Sequence, residues 1–162
     1  MFGIQNYTSF IAAIVVFQLI PGQVVTEDLR LQPAIAGGQV VTDPARDLAK
    51  IAVVERHRGT GNLGLGLVKG IGLRRGAIAA SVAHDSHNVV VVGMSDADML
   101  AAVAAIVEMG GGQAAVADGR VQAACPLPIA GLMADRPPEE VRDQVAALTK
   151  AAQALGSTLP DP

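Results

Sequence analysis

The chain holds 162 residues in 16.5 kDa, enough for one ordinary domain, which excludes a large multidomain enzyme. Half of it (51%) is apolar and only 17% is charged, so it is too hydrophobic to stay disordered and has the material for an Ala/Val/Gly-rich core. A net charge of −3 with 2% aromatics argues against a phosphate-binding surface and base-stacking platforms, and hence against nucleic acid, while the single Cys125 leaves no disulfide framework or zinc ribbon and fits a reducing, cytoplasmic compartment.

Met1 to Thr26 carries no charge, and Phe10 to Ile20 is apolar apart from Gln18. A bilayer span needs about 20 mostly apolar residues, so membrane association through residues 2–20 stays open. A signal peptide is not indicated, since neither a basic n-region nor a small-residue cleavage site precedes Pro21-Gly22. Residues 1–22 are therefore set apart as an apolar leader, either packed at the edge of the domain or joined from elsewhere, and 23–162 as the domain proper. Within it, Gln23–Leu31, the residues after Gly37-Gly38, and Leu48–Glu55 read as strands. Glycine recurs too often from Gly59 to Gly76 for a helix, which predicts loop and irregular strand. Ala77–Ala83 and Val89–Val92 are apolar runs flanking the polar block 84–88, and read as neighbouring core strands.

Ser95 stands three residues before Asp98 at capping-box spacing, and Met99, Val103 and Ile106 share one face before Gly110-Gly111-Gly112, which predicts a helix. A hairpin is expected across Gln113–Ala124, because Asp118-Gly119 suits a type I′ turn. Pro137-Pro138 followed by Glu139 and Glu140 opens a second helix, whose apolar stripe Val141, Val145, Leu148, Ala152 and Leu155 ends at Gly156. Strands in runs with two main helices give an α+β fold built on mixed or antiparallel sheet.

The chemistry-bearing residues concentrate in two places. Gly59-Thr60-Gly61-Asn62-Leu63-Gly64 satisfies G-x-G-x-x-G after a strand, but Gly66, Gly70 and Gly72 prevent the helix that a pyrophosphate would need, so tight turns are the better reading. His84, Asp85, His87 and Asn88, with Arg56 and His57 if that strand lies alongside, are candidates for substrate binding or an interface. His57, His84, Asp85 and His87 form a weak metal-ligand set. The bland alternative is that Asp85 and Asn88 satisfy turn backbone, the histidines pair with Glu55 or carbonyls, and Arg56 makes a strand-end salt bridge. No catalytic residue is assigned from the pattern, and Cys125, before Pro126, reads as a small core residue.

ERHRGTGN (55–62), SVAHDSHN (81–88), DGRV (118–121) and PLPIAGLM (126–133), in that order, resemble the C-terminal domain of bacterial and archaeal adenine deaminases from about Pro21 to Pro162. That resemblance implies a hydrolase of purine metabolism, in which adenine and water give hypoxanthine and ammonia. It also implies that a divalent metal, manganese or iron, sits in an amidohydrolase barrel that precedes this region. The barrel and its ligands are not in this sequence, so no metal is expected in this chain and an accessory fragment, inactive alone, is expected. A purine-binding module, a module that assembles with a barrel chain or with itself, and an independent metal enzyme built on the His84-Asp85-Ser86-His87 block are the alternatives. MFGIQNYTSFIAAIVVFQLIPG (1–22) separately resembles the first helix of LysE-type amino-acid exporters.

Overall fold

A computed structural model describes residues 14–20, 22–23, 25–84 and 86–160. The strands are β1 (Ile14–Leu19), β2 (Thr26–Leu31), β3 (Ala34–Ala36), β4 (Gln39–Val41), β5 (Leu48–Val54), β6 (Leu63–Lys69), β7 (Ala77–Ala80) and β8 (Val89–Gly93). Helix α1 (Asp96–Glu108), the hairpin β9 (Gly112–Ala117) and β10 (Arg120–Pro126), and helix α2 (Pro138–Ala154) complete the chain. Eight strands form one mixed sheet in the order β10-β9-β7-β8-β5-β6-β1-β2, and β3-β4 is a separate ribbon. All neighbours are antiparallel except β1 and β6. The α+β class is thus observed.

Local chemistry explains most boundaries. Ser95 Oγ accepts the Asp98 amide at the start of α1, and Asp98 in turn accepts the Gly119 amide at 2.8 Å, fastening the helix to the hairpin turn. That turn has positive φ at both Asp118 (54°) and Gly119 (69°), the backbone that type I′ geometry demands. The expected strand from Gln23 is shorter, starting at Thr26. The largest departure is 63–69, a regular strand rather than an irregular one. Its Gly64 and Gly66 pair with Val53 and Ile51, and the Phe17 ring and the Ile51 side chain lie 3.4–3.5 Å from where a Gly66 Cβ would stand. Neighbouring side chains fill the space, which offsets the low strand propensity of glycine.

Residues 1–13 and 21 of the leader lie outside the described residues, whereas Ile14–Leu19 is a strand inserted between β6 and β2. The helix that the exporter resemblance implies therefore does not run through 14–19. No helix among the described residues is long and apolar enough to cross a membrane.

One sheet face is closed by α1, whose Met99, Ala102 and Ile106 pack on Ala52, Ala79, Val91 and Val116, and by the ribbon, whose Val40 meets Val16, Leu48 and Leu67. The other face carries α2, with Leu148, Ala151 and Leu155 against Ala115, Ala117 and Val92.

Candidate functional site

Because β5 and β10 end, and β6, β8 and β9 begin, at one end of the sheet, the segments 55–62, 81–88, 109–111 and 127–133 gather there. Arg56 joins them. Its Nε donates to the His87 carbonyl at 2.5 Å and its Nη2 to the Ala130 carbonyl at 2.7 Å. Its guanidinium lies against Gly131, where a Cβ would stand 2.8 Å from Nη2. Among the described residues both acceptors of Arg56 are backbone carbonyls; a planar, forked cation holds two of them in a fixed geometry, which a compact ammonium does not impose.

His57 places Nε2 2.9 Å from the Ser86 carbonyl. A carbonyl only accepts, so that nitrogen carries the proton. Glu55 organises the loop from inside: its carboxylate accepts the amides of His57, Arg58 and Thr60 and the Thr60 hydroxyl. One amide of the G-x-G-x-x-G segment, that of Thr60, is therefore taken by the chain's own carboxylate, and a strand follows instead of a helix.

Amide donation from Thr60 and Arg58 holds the Glu55 carboxyl well below its ordinary 4.5, at about 2. A carboxyl depressed in the folded state contributes stability that is fully present above its unfolded value and disappears as pH falls through the folded one. Acid titration of the melting temperature should therefore show a loss between pH 4.5 and about 2 that is reduced in Glu55→Gln; identical profiles for the two proteins would contradict this role.

On the turn 84–88, His84 and Ser86 are exposed and His87 has φ 48°. Asp85 lies outside the described residues. His87 Nδ1 and Asn88 Oδ1 are buried without a hydrogen-bond partner, which leaves two polar atoms of the block unsatisfied in the isolated chain. Asn88 thus does not satisfy the turn through its side-chain oxygen; its backbone N–H instead donates to Ser86 Oγ at 3.4 Å. Among the described residues no three of His, Cys, Asp and Glu converge as a metal site. Cys125 is buried, and burial pushes its thiol up, as suits a core residue.

Ser81 is the residue whose importance the sequence did not reveal, although a lone hydroxyl in AIAASVA was the available signal. It is fully buried, donates to the Gly131 carbonyl at 2.6 Å and accepts the Gly112 amide at 2.8 Å. Ser81→Ala leaves both groups unpaired, so we expect a loss of about 1–3 kcal/mol, read from urea unfolding with an unchanged m-value; a cost under about 0.5 kcal/mol would remove Ser81 from the framework.

The segments 55–62, 81–88 and 126–133 that Arg56 and Ser81 draw together are three of the four that carried the resemblance. Residues 23–162 match the family model described as adenine deaminase C-terminal domain. The chain belongs to this family. It is 55% identical over 147 residues to an adenine deaminase of Desulfatibacillum aliphaticivorans, covering 91% of this chain and 26% of that protein. It is 52% identical over 141 residues to adenine deaminase 2 of Carboxydothermus hydrogenoformans (87% and 25%), and 49% identical over 146 residues to an adenine deaminase of Methanothrix thermoacetophila (90% and 26%). The adenine deaminase C-terminal domain seen here thus spans about a quarter of the length of the curated relatives it matches.

Proposed function

We propose that this domain serves the hydrolysis of adenine to hypoxanthine and ammonia in the cytoplasm, as the accessory part of a deaminase whose catalytic part holds the divalent metal. The observation that carries this reading is the Arg56 latch. Arg56 and Glu55 bind backbone groups of their own chain, and His57 turns its Nε2 proton toward Ser86. That is the chemistry of a rigid loop platform. A carboxylate with a pKa of about 2 is a weak general base at neutral pH, and a proton on His57 Nε2 leaves that ring only Nδ1 as a ligand atom. Among the described residues no three ligand side chains converge around His57 to hold the metal, manganese or iron, that such hydrolysis uses, so no step is routed through it here. In the assembled enzyme that ion would activate water for attack on the ring carbon bearing the amine.

Incubation of the purified chain with adenine and Mn²⁺ or Fe²⁺ should release no ammonia. Turnover abolished by His84→Ala would replace this reading with an independent metal enzyme on His84, Asp85 and His87.

A second reading, purine binding by the 84–88 block with Arg56 and His57, is favoured by the unsatisfied His87 Nδ1 and Asn88 Oδ1. The ring nitrogens and exocyclic amine of a purine supply the complementary donors and acceptors. Calorimetric titration with adenine and hypoxanthine decides it: saturable heat that Asn88→Ala removes supports a binding site, and no heat with either base eliminates one.

A further inference from the structure

The strands LAKIAVV and VVVVG place apolar side chains on both of their faces, the composition of strands covered on two sides. The α1 side is covered, with Leu48, Ala52, Leu67 and Val91 at most 1% exposed. On the opposite side α2 packs mainly over β9 and β10, and Ile71, Leu73, Leu155 and Leu159 cover Ala49 and Val68, which leaves the part of this face around Phe17 and Val82 without a second layer. Phe17 is 48% exposed there, and Val82 and Val145, at the edge of α2, are 45% and 41% exposed. Between α2 and the open strands lies a cleft of about 400 Å³ with Ile78, Ala80, Val90 and Val92 on one side and Val145 and Leu148 on the other. Among the described residues no charged side chain lines it.

We propose that this open sheet face, with its cleft, is the docking surface for the catalytic part of an adenine deaminase, which inserts uncharged, apolar side chains between α2 and β8. The proposal rests on the accessory reading above and names the surface through which it acts. The size of the relatives identifies the occupant: each carries this domain in a chain about four times as long, so a large body accompanies the domain in every one of them. Strands that are apolar on both faces, fully covered on one and half covered on the other, lack part of a layer, and that body is the source of it. The cleft has the volume for a few buried side chains, and its described lining offers no partner for a charged group.

The test uses this chain alone and a chimera in which it replaces the matching quarter of the Desulfatibacillum aliphaticivorans enzyme. Side chains are labelled by hydroxyl radicals and read by mass spectrometry. Labelling at Phe17, Val82 and Val145 should fall at least about fivefold in the chimera, as for side chains excluded from water in an interface, while Leu100 and Val107, exposed on α1, serve as unchanged controls. The double variant V82E/V145E should leave the melting temperature of the chain alone unchanged and restore labelling at Phe17 in the chimera. Equal labelling in both proteins overturns the proposal. So does a dimer of the chain alone, seen by sedimentation and dissociated by V82E/V145E, which would make a second copy the occupant. Ammonia release by the chimera is read separately: deamination with an open face sinks this surface and spares the accessory reading, and a protected face without deamination does the reverse.

Discussion

Replacing Arg56 by methionine should lower unfolding free energy by about 3 kcal/mol, because two charge-assisted hydrogen bonds are lost. For a chain of this size that corresponds to a fall in melting temperature of roughly 6–12 °C. Methionine keeps much of the apolar stem, so the effect isolates the guanidinium, whose bonds reach the His87 and Ala130 carbonyls, 31 and 74 residues away in sequence. Arg56→Lys should recover less than half of the loss, since one ammonium cannot bond both carbonyls and lie flat against Gly131. Hydrogen exchange should rise in 84–88 and 127–133 together, while the α1 amides stay protected. A cost below about 1 kcal/mol, or full recovery with lysine, would show that the loops hold without the latch.

Gly111→Ala should be more damaging still. Gly111 ends α1 with φ 124°, and a Cβ there would stand 2.3 Å from Gly131 Cα and 3.1 Å from Ser81 Oγ. The backbone cannot yield easily, since the Gly111 amide donates to Ile106 and its carbonyl accepts the Leu127 amide. Contact with backbone on one side and a buried hydroxyl on the other leaves only movement of the 127–133 segment, so we expect a loss above about 4 kcal/mol, a large part of the stability of an ordinary domain. Gly119→Ala is the control: φ is again positive at 69°, yet nothing lies within 4 Å of the added carbon, and the cost should stay near 1–2 kcal/mol. Urea midpoints compare the two directly. Equal losses would mean that backbone conformation alone, and not the close approach of the two loops, sets the cost at Gly111.

Wherever a few adjacent residues decide, the local structure was legible. Ser95 with Asp98 gives a helix start because the partner amide is three residues away, Asp118-Gly119 gives a turn because two neighbouring φ angles define it, and Pro137-Pro138 opens α2 because its first turn needs no amide from them. The strand 63–69 was not legible, since what stabilises its glycines is the ring of Phe17 from a strand about fifty residues earlier.

For the candidate site, the residue types were legible and their partners were not. The polar block 84–88 and the pair Arg56–His57 stand out because polar groups between apolar strands need satisfaction, and the order of the segments carried the family. Composition, helix caps, turn chemistry and family membership were thus determined by the chain's own sequence, since each depends on neighbours along the chain or on an ordered set of motifs. Which carbonyls Arg56 binds, that Ser81 joins two loops, and that one apolar sheet face stays half open were decided only by the tertiary structure. These depend on strand order, which brings together groups 31 to 74 residues apart, and no local pattern encodes a distance that arises only once the sheet has closed.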